Sequence, residues 1–211
     1  MITMVGSLKG GSGKSTLTFN LALWLIRANR RVLVIDADPQ ATLSDVVDVR
    51  REEGFQPPVE LMDSAALADP SFLRQYDDVL IDVGTADMEA MKRAISIADR
   101  ILVPVPPSQA DIWSAQRFIH FVESLVPGKT RPEIIGFINR ADTNQAIRET
   151  SEAAAALVSL PGIRYLKSRI AARTVYRRSF SEGLAVFELE PRGKGTKEWN
   201  GLAAALYPEL L

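Results

Sequence analysis

Five short apolar runs stand out along the chain: ITMVGS at 2–7, RVLVID at 31–36, DDVLIDVG at 77–84, RILVPVP at 100–106 and EIIGFIN at 133–139. They are rich in β-branched residues and lack the apolar–polar alternation of a half-solvated strand, so each is a predicted strand covered on both faces. Longer segments with charge at intervals on one face, at 14–29, 88–98, 111–125 and 146–160, are predicted helices. Strands alternating with helices imply an α/β fold, a mostly parallel, twisted sheet with helices on both faces.

The stretch RREEGFQPP at 50–58 has a linker-like composition but sits inside this alternation, which predicts a surface loop and one domain over residues 1–211. Beyond Leu160 the pattern changes to a short run IRYLKS, an arginine-rich helix from Ile170, a turn at Gly183, a loop PRGKGTK and a last helix over 198–206. This tail is expected to pack on the same domain.

Composition limits the chemistry. The 25 basic and 26 acidic residues give a formal net charge of -1, so any pull toward nucleic acid or anionic lipid must be local. Cysteine is absent, which excludes disulfides, thiolate metal sites, iron–sulfur clusters and cysteine nucleophiles. The single histidine, His120, lies in an apolar helical run and is assigned no role. No apolar run approaches the length of a membrane span, and the opening MITMVGS lacks a charged region followed by a cleavable apolar stretch, so a cytoplasmic protein is expected.

The first predicted strand runs into SLKGGSGKST at 7–16. A glycine-rich turn between a strand and a helix opening on Lys-Ser-Thr is an anion site, because backbone N–H groups and the helix's positive end face the phosphates. Gly10, Gly11, Ser12 and Gly13 would form the cradle, Lys14 would reach the β- and γ-phosphates of ATP, Ser15 would offer its hydroxyl to Mg2+, and Thr16 would lie near the α-phosphate. The common phosphate-loop pattern has glycine five residues before Gly13; this chain has Leu8 there, followed by a second lysine, Lys9.

KGGSGKS at 9–15 resembles the deviant Walker A box of the ParA/MinD family of ATPases, and DADPQ at 36–40 resembles that family's first switch. The resemblance covers nearly the whole chain and implies a P-loop NTPase fold, ATPase activity, and ATP with Mg2+ as cofactors. It implies that Lys9 reaches across an ATP-dependent homodimer to the partner's phosphates, as an arginine finger does. It further implies that Asp36 supports Mg2+ through water and that Asp38 orients or activates the attacking water, although Asp38 could also cap the following helix. Lys9, Lys14 and Asp38 would then be the catalytic set.

Asp82, at the end of the third predicted strand, fits a Walker B carboxylate joined to Mg2+ through water. Here the chain departs from the family, with Val-Gly-Thr-Ala-Asp after Asp82 where the family usually has x-Pro-Pro. Gly84 and Thr85 could still supply a backbone N–H and a hydroxyl near the γ-phosphate. VPVPPSQADIWSA at 103–115 resembles the family's proline-rich turn into an interface helix, with Asp111 as a structural cap. FINRAD at 137–142 falls where the family's adenine pocket lies, so Asn139 would pair with the base edge and Arg140 would stack on it.

The tail separates the members of this family. EWNGLAAALYPELL at 198–211 carries no lysine or arginine, so the electrostatic half of a MinD-like membrane anchor is missing and membrane cycling is the alternative reading. Between Arg164 and Phe180 stand six basic residues and no acidic one, with Arg169, Arg173 and Arg177 spaced by four and Arg178 beside them. On one helix these would make a stripe for DNA phosphates, or a solvated face ion-paired to Glu149 or Glu152. The DNA reading implies a nucleoid-associated ParA-like ATPase. Its sandwich dimer would bind DNA without sequence preference and partition or position a plasmid, chromosome or protein assembly. A cargo-linked adaptor or centromere-binding protein would stimulate its hydrolysis.

Overall fold

In the computed structural model, residues 1–128, 131–144 and 147–210 are described. The chain runs β1 (Ile2–Val5), α1 (Lys14–Arg27), β2 (Val32–Ala37), α2 (Thr42–Glu52), β3 (Glu60–Asp63), α3 (Pro70–Leu73), β4 (Asp78–Val83), α4 (Met88–Ile97), β5 (Arg100–Val105) and α5 (Gln109–Leu125). It continues through β6 (Glu133–Ala141), α6 (Glu149–Val158), β7 (Arg164–Tyr165), β8 (Ile170–Ala171), α7 (Thr174–Ser181), α8 (Val186–Leu189) and α9 (Lys194–Leu206). The sheet has eight strands in the order β3-β2-β4-β1-β5-β6-β7, with β8 beside the end of β6, and every pairing is parallel.

Each central strand is buried along its length, so its alternating side chains feed two separate cores. Leu33 and Ile35 of β2 join Met91, Ile95, Phe118 and Leu157 from α4, α5 and α6 on one face. Val32 and Val34 join Phe19 and Leu23 from α1, Trp199 from α9 and Tyr207 just after it on the other. The five predicted strands are therefore present, and the helices cover both faces as their charge pattern requires. β1 is flanked by β4 and β5, with α1 on one face and α4 on the other, and in such sheets ligands bind outside the carboxyl ends of the strands at this point.

The structure corrects three expectations. The arginine-rich helix does not begin at Ile170: Ile170 and Ala171 are buried, pair with Asn139 and Ala141 as β8, and leave α7 to begin at Thr174. Arg169 thus precedes a strand and Arg173 precedes a helix, so Arg169, Arg173 and Arg177 form no stripe on one helix. The segment 50–58 is not all surface loop, because Arg50, at 1% exposure, is among the largest fully buried side chains. Its guanidinium donates to both carboxylate oxygens of Glu188 at 2.9 and 3.0 Å and to the carbonyls of Pro57 and Gly183, which satisfies the buried charge. The last helix starts earlier than expected, with Gly195 and Thr196 buried in its first turn. The predicted start of the fourth helix at Ala146 lies outside the described residues; within them that helix is α6.

Candidate functional site

The turn after β1 is built to leave backbone N–H groups free. Gly13 is the residue before α1, with φ 92° and no side-chain cap, so the first amides of α1 have no internal partner. A glycine is required there twice over: the backbone is left-handed, and a Cβ would fall 2.6 Å from the Asn139 amide nitrogen. That nitrogen donates to the Ser12 carbonyl at 2.7 Å, while Ser7 Oγ donates to the Lys9 carbonyl at 2.9 Å and lies 3.1 Å from Ser12 Oγ. The turn is therefore braced from below and open above. Gly10, Gly11, Lys14, Ser15 and Thr16 line a cavity of about 260 Å³ whose opposite wall includes Asp38, Gln40 and Thr85. Lys14 is buried in the wall of this cavity and lies close enough to Asp82 to favour its charged form.

Three carboxylates meet here because β2 and β4 are neighbours in register, with Asp36 opposite Asp82. Asp36 is fully engaged: Oδ1 accepts the Asp38 N–H at 3.1 Å, and Oδ2 accepts both the Ser44 N–H and its hydroxyl at 2.8 Å. It thereby serves the first turn of α2, the capping role that the sequence left open for Asp38. Asp38 instead closes its own turn, accepting the Gln40 N–H on Oδ1 at 3.0 Å. Asp82 is fully buried, and among the described residues neither of its oxygens meets a donor in good hydrogen-bond geometry, the Ser15 hydroxyl being the neighbour that still favours its charged form. Burial pushes its carboxyl up to about 7, against the pull of Ser15 and Lys14 and with added repulsion from Asp36 and Asp38.

A bare buried carboxylate beside a serine hydroxyl suits a hard divalent cation that keeps several waters. Among the described residues no group of three or more acidic or imidazole side chains could hold an ion alone. The residues here that would hold such a cation are Ser15, Asp36 and Asp82, with a ligand completing its shell. These residues fit Mg2+ carried in with a nucleotide.

Lys9 does not line the phosphate cavity. Its side chain is 48% exposed, and its ammonium sits 2.8 Å from Asp111 Oδ1 of the same chain. Asp111 is not the cap of α5: Ser108 caps it, accepting the Asp111 N–H at 3.2 Å, and the Ser108 hydroxyl also donates to Asp111 Oδ2. The two residues are about a hundred positions apart, so only the fold brings them together.

A second cavity, of about 320 Å³, adjoins the first, and Gly13, Thr16 and Arg140 line both. Asn139 stands in its wall with its amide nitrogen already committed to Ser12, which leaves its amide oxygen for a ligand. Arg140 holds φ 56° in the left-handed region, a strain rare outside glycine, and this turns its side chain out of the β6 ladder at a register shift. The tail supplies residues that motif reasoning missed: Tyr176 and Arg177 of α7 line the second cavity, and Phe180 lines the first. Of the arginines expected to face DNA, Arg173 is ion-paired to Glu198 at 2.6 Å and Arg178 to Glu182 at 3.1 Å, in place of Glu149 or Glu152. Arg169 and Lys167 are exposed and form no ion pair among the described residues.

The chain resembles known proteins along most of its length. Residues 3–186 match the model of the CobQ/CobB/MinD/ParA nucleotide binding domain. Over 204 residues the chain is 31% identical to the maintenance of carboxysome distribution protein A of Halothiobacillus neapolitanus, covering 92% of this chain and 90% of that protein. Over 138 residues, 51% of this chain and 54% of the relative, it is 32% identical to the chromosome-partitioning ATPase Soj of Thermus thermophilus. Among solved structures, apo McdA of Cyanthece superposes with a TM-score of 0.79 at 22% identity, over 97% of this chain and 98% of that one.

Proposed function

This chain belongs to the CobQ/CobB/MinD/ParA family of nucleotide-binding domains, and from that premise we propose that it is a ParA-like ATPase that positions a cargo through an ATP-dependent dimer. The reading takes residues 1–211 as one ATPase domain. ATP lies across the two adjoining cavities, its phosphates on Gly10 to Thr16 and its base between Asn139, Arg140 and α7. Lys14 neutralises the β- and γ-phosphates. Ser15, Asp36 and Asp82 would hold Mg2+, which would supply charge neutralisation at the phosphates, and Asp38 orients the attacking water. The carboxyls at this edge sort by environment, as acid–base sites do.

The observation that carries the reading is the separation of the two lysines. Lys14 is buried in the wall of the phosphate cavity, whereas Lys9 stands half-exposed outside it, paired with Asp111. A cation outside its own cavity is placed to serve a neighbour's. Light scattering with ATP tests this: Lys9→Ala should bind ATP with affinity near that of the native protein yet stay monomeric and hydrolyse none. A Lys9→Ala dimer at the native ATP concentration would refute the trans role.

The dimer is further proposed to ride on DNA in the cytoplasm and to be released when a cargo-linked partner stimulates hydrolysis. The named relatives act on carboxysome distribution and on chromosome partition, so the cargo class is a protein assembly or a replicon. Arg169 and Lys167 support the DNA contact as exposed cations with no ion pair among the described residues, and Arg173 and Arg178 can join only by opening their ion pairs. Removing one cation from a DNA phosphate lowers the log–log salt slope by roughly 0.9, so Arg169→Ala in both subunits should lower it by about 1.8. Anionic vesicles run beside random-sequence DNA separate this from a membrane-cycling protein. No helix among the described residues is long and apolar enough to cross a membrane.

A further inference from the structure

The least family-like part of the site is the turn after β4, and it holds a contact that the departure explains. β2 and β4 pair with Ala37 opposite Val83, so the next residues on the two strands, Asp38 and Gly84, leave the sheet side by side. Gly84 is buried, and a Cβ on it would fall 2.3 Å from Asp38 Cγ and 2.4 and 2.6 Å from its two carboxylate oxygens. All three atoms of the carboxylate group therefore lie over the Gly84 Cα. Gly84 is not among the glycines with positive φ, so its backbone suits any residue and what the position requires is room. Asp38 is held in this pose by its own turn, through the Gln40 N–H on Oδ1, and it forms part of the wall of the phosphate cavity.

We propose that Gly84 is a positioning residue for hydrolysis, the seat that fixes the Asp38 carboxylate against the phosphate cavity. The proposal rests on the reading of Asp38 as the group that orients the attacking water. A side chain at position 84 would force the carboxylate off the seat without touching its chemistry. The colliding atoms are the free end of a half-buried side chain, so Asp38 can rotate away and the fold survives. Positional error of about an ångström in a catalytic group is enough to slow chemistry substantially.

The test is a double-mutant cycle between Gly84→Ala and Asp38→Ala, read as single-turnover hydrolysis of ATP, ATP affinity by calorimetry, and melting temperature. Gly84→Ala should lower kcat at least about tenfold with ATP affinity within about threefold of native, and it should have no further effect in the Asp38→Ala background. Its melting temperature should fall, and that fall should vanish when Asp38 is Ala, because the colliding atoms are gone. Native turnover by Gly84→Ala would overturn the proposal, and faster turnover would show that the seat is a parking place. Lost ATP affinity, or a further slowing of Asp38→Ala, would mark Gly84 as merely structural. If Asp38→Ala itself hydrolyses at the native rate, the reading of Asp38 fails and takes the proposal with it. That outcome is distinct from a slow Asp38→Ala beside a fast Gly84→Ala, which sinks Gly84 alone.

Discussion

Asp36 and Asp82 stand directly opposite each other on adjacent strands, and the protein treats them in opposite ways. Asp36 receives three hydrogen bonds from its own chain, and those bonds build the start of α2. Asp82 receives no well-formed hydrogen bond among the described residues and has only the Ser15 hydroxyl nearby, although it is the more deeply buried of the two. A carboxylate with no well-placed donor in a closed interior is among the costlier things a fold can contain. The pair therefore sets a carboxylate that the chain's own donors satisfy beside one that they leave nearly bare. The cations repeat the pattern: Lys14 faces the cavity, and Lys9 is already paired with Asp111.

The strongest way to break the comparison is to remove the cation that faces the bare side. Lys14→Ala deletes charge-assisted contacts to the nucleotide phosphates and leaves Asp82 without its nearest counter-charge. The expected loss is about 3 kcal/mol or more, roughly a hundredfold in ATP affinity by calorimetry. Unchanged affinity would remove the phosphate-loop assignment, and the meaning given to Asp82 with it.

A subtler experiment asks whether the two carboxylates respond with opposite signs. The folded-state pKa of Asp82 is raised from 3.8 to about 7, so the unfolded chain gives up this proton first as pH rises. The resulting loss of stability grows between those two values and reaches about 4 kcal/mol as an upper bound above them. Asp82→Asn should therefore raise the melting temperature of the nucleotide-free protein at pH 8, with less than half the gain left at pH 5. Asp36→Asn should lower it by an amount corresponding to about 1–2 kcal/mol, since an amide keeps one acceptor oxygen where the carboxylate offers two, to the Asp38 N–H and to Ser44. Two substitutions that both destabilise at pH 8 would end the distinction between a satisfied carboxylate and a nearly bare one.

What the sequence could reveal follows from how far apart the partners lie. β1, β2, β4, β5 and β6 were legible because central parallel strands are apolar on both faces, and Lys9 to Thr16 because a phosphate loop is one contiguous stretch. β3, at the sheet edge with the sequence ELMD and mostly exposed, has no such signature, and β7 and β8 are two residues each. The regular spacing of Arg169, Arg173 and Arg177 looked helical because periodicity cannot see that Ile170 and Ala171 complete the ladder of β6. Arg50 looked solvent-facing among charged neighbours because its partner Glu188 is 138 residues away. Lys9 and Asp111 are joined by the fold in the same way.

The smallest effect carries the contrast between paired and bare groups into the tail, where two adjacent arginines differ. Arg178 is held by Glu182 one helical turn on, and an exposed pair of that kind contributes only about 0.3–0.5 kcal/mol. Arg177 has no acidic partner among the described residues and lines the second cavity, beside Arg140 and Asn139. Planar guanidinium groups stack on ring faces for about 1 kcal/mol when partly exposed, so Arg177→Ala should weaken ATP binding roughly fivefold, while Arg178→Ala should leave it unchanged. DNA binding should divide the other way, with Arg178→Ala lowering the salt slope and Arg177→Ala acting only through the ATP it fails to hold. Saturating ATP should then restore DNA binding to Arg177→Ala. If saturating ATP does not restore it, Arg177 belongs to the DNA surface, and α7 does not separate a nucleotide-facing arginine from an outward one.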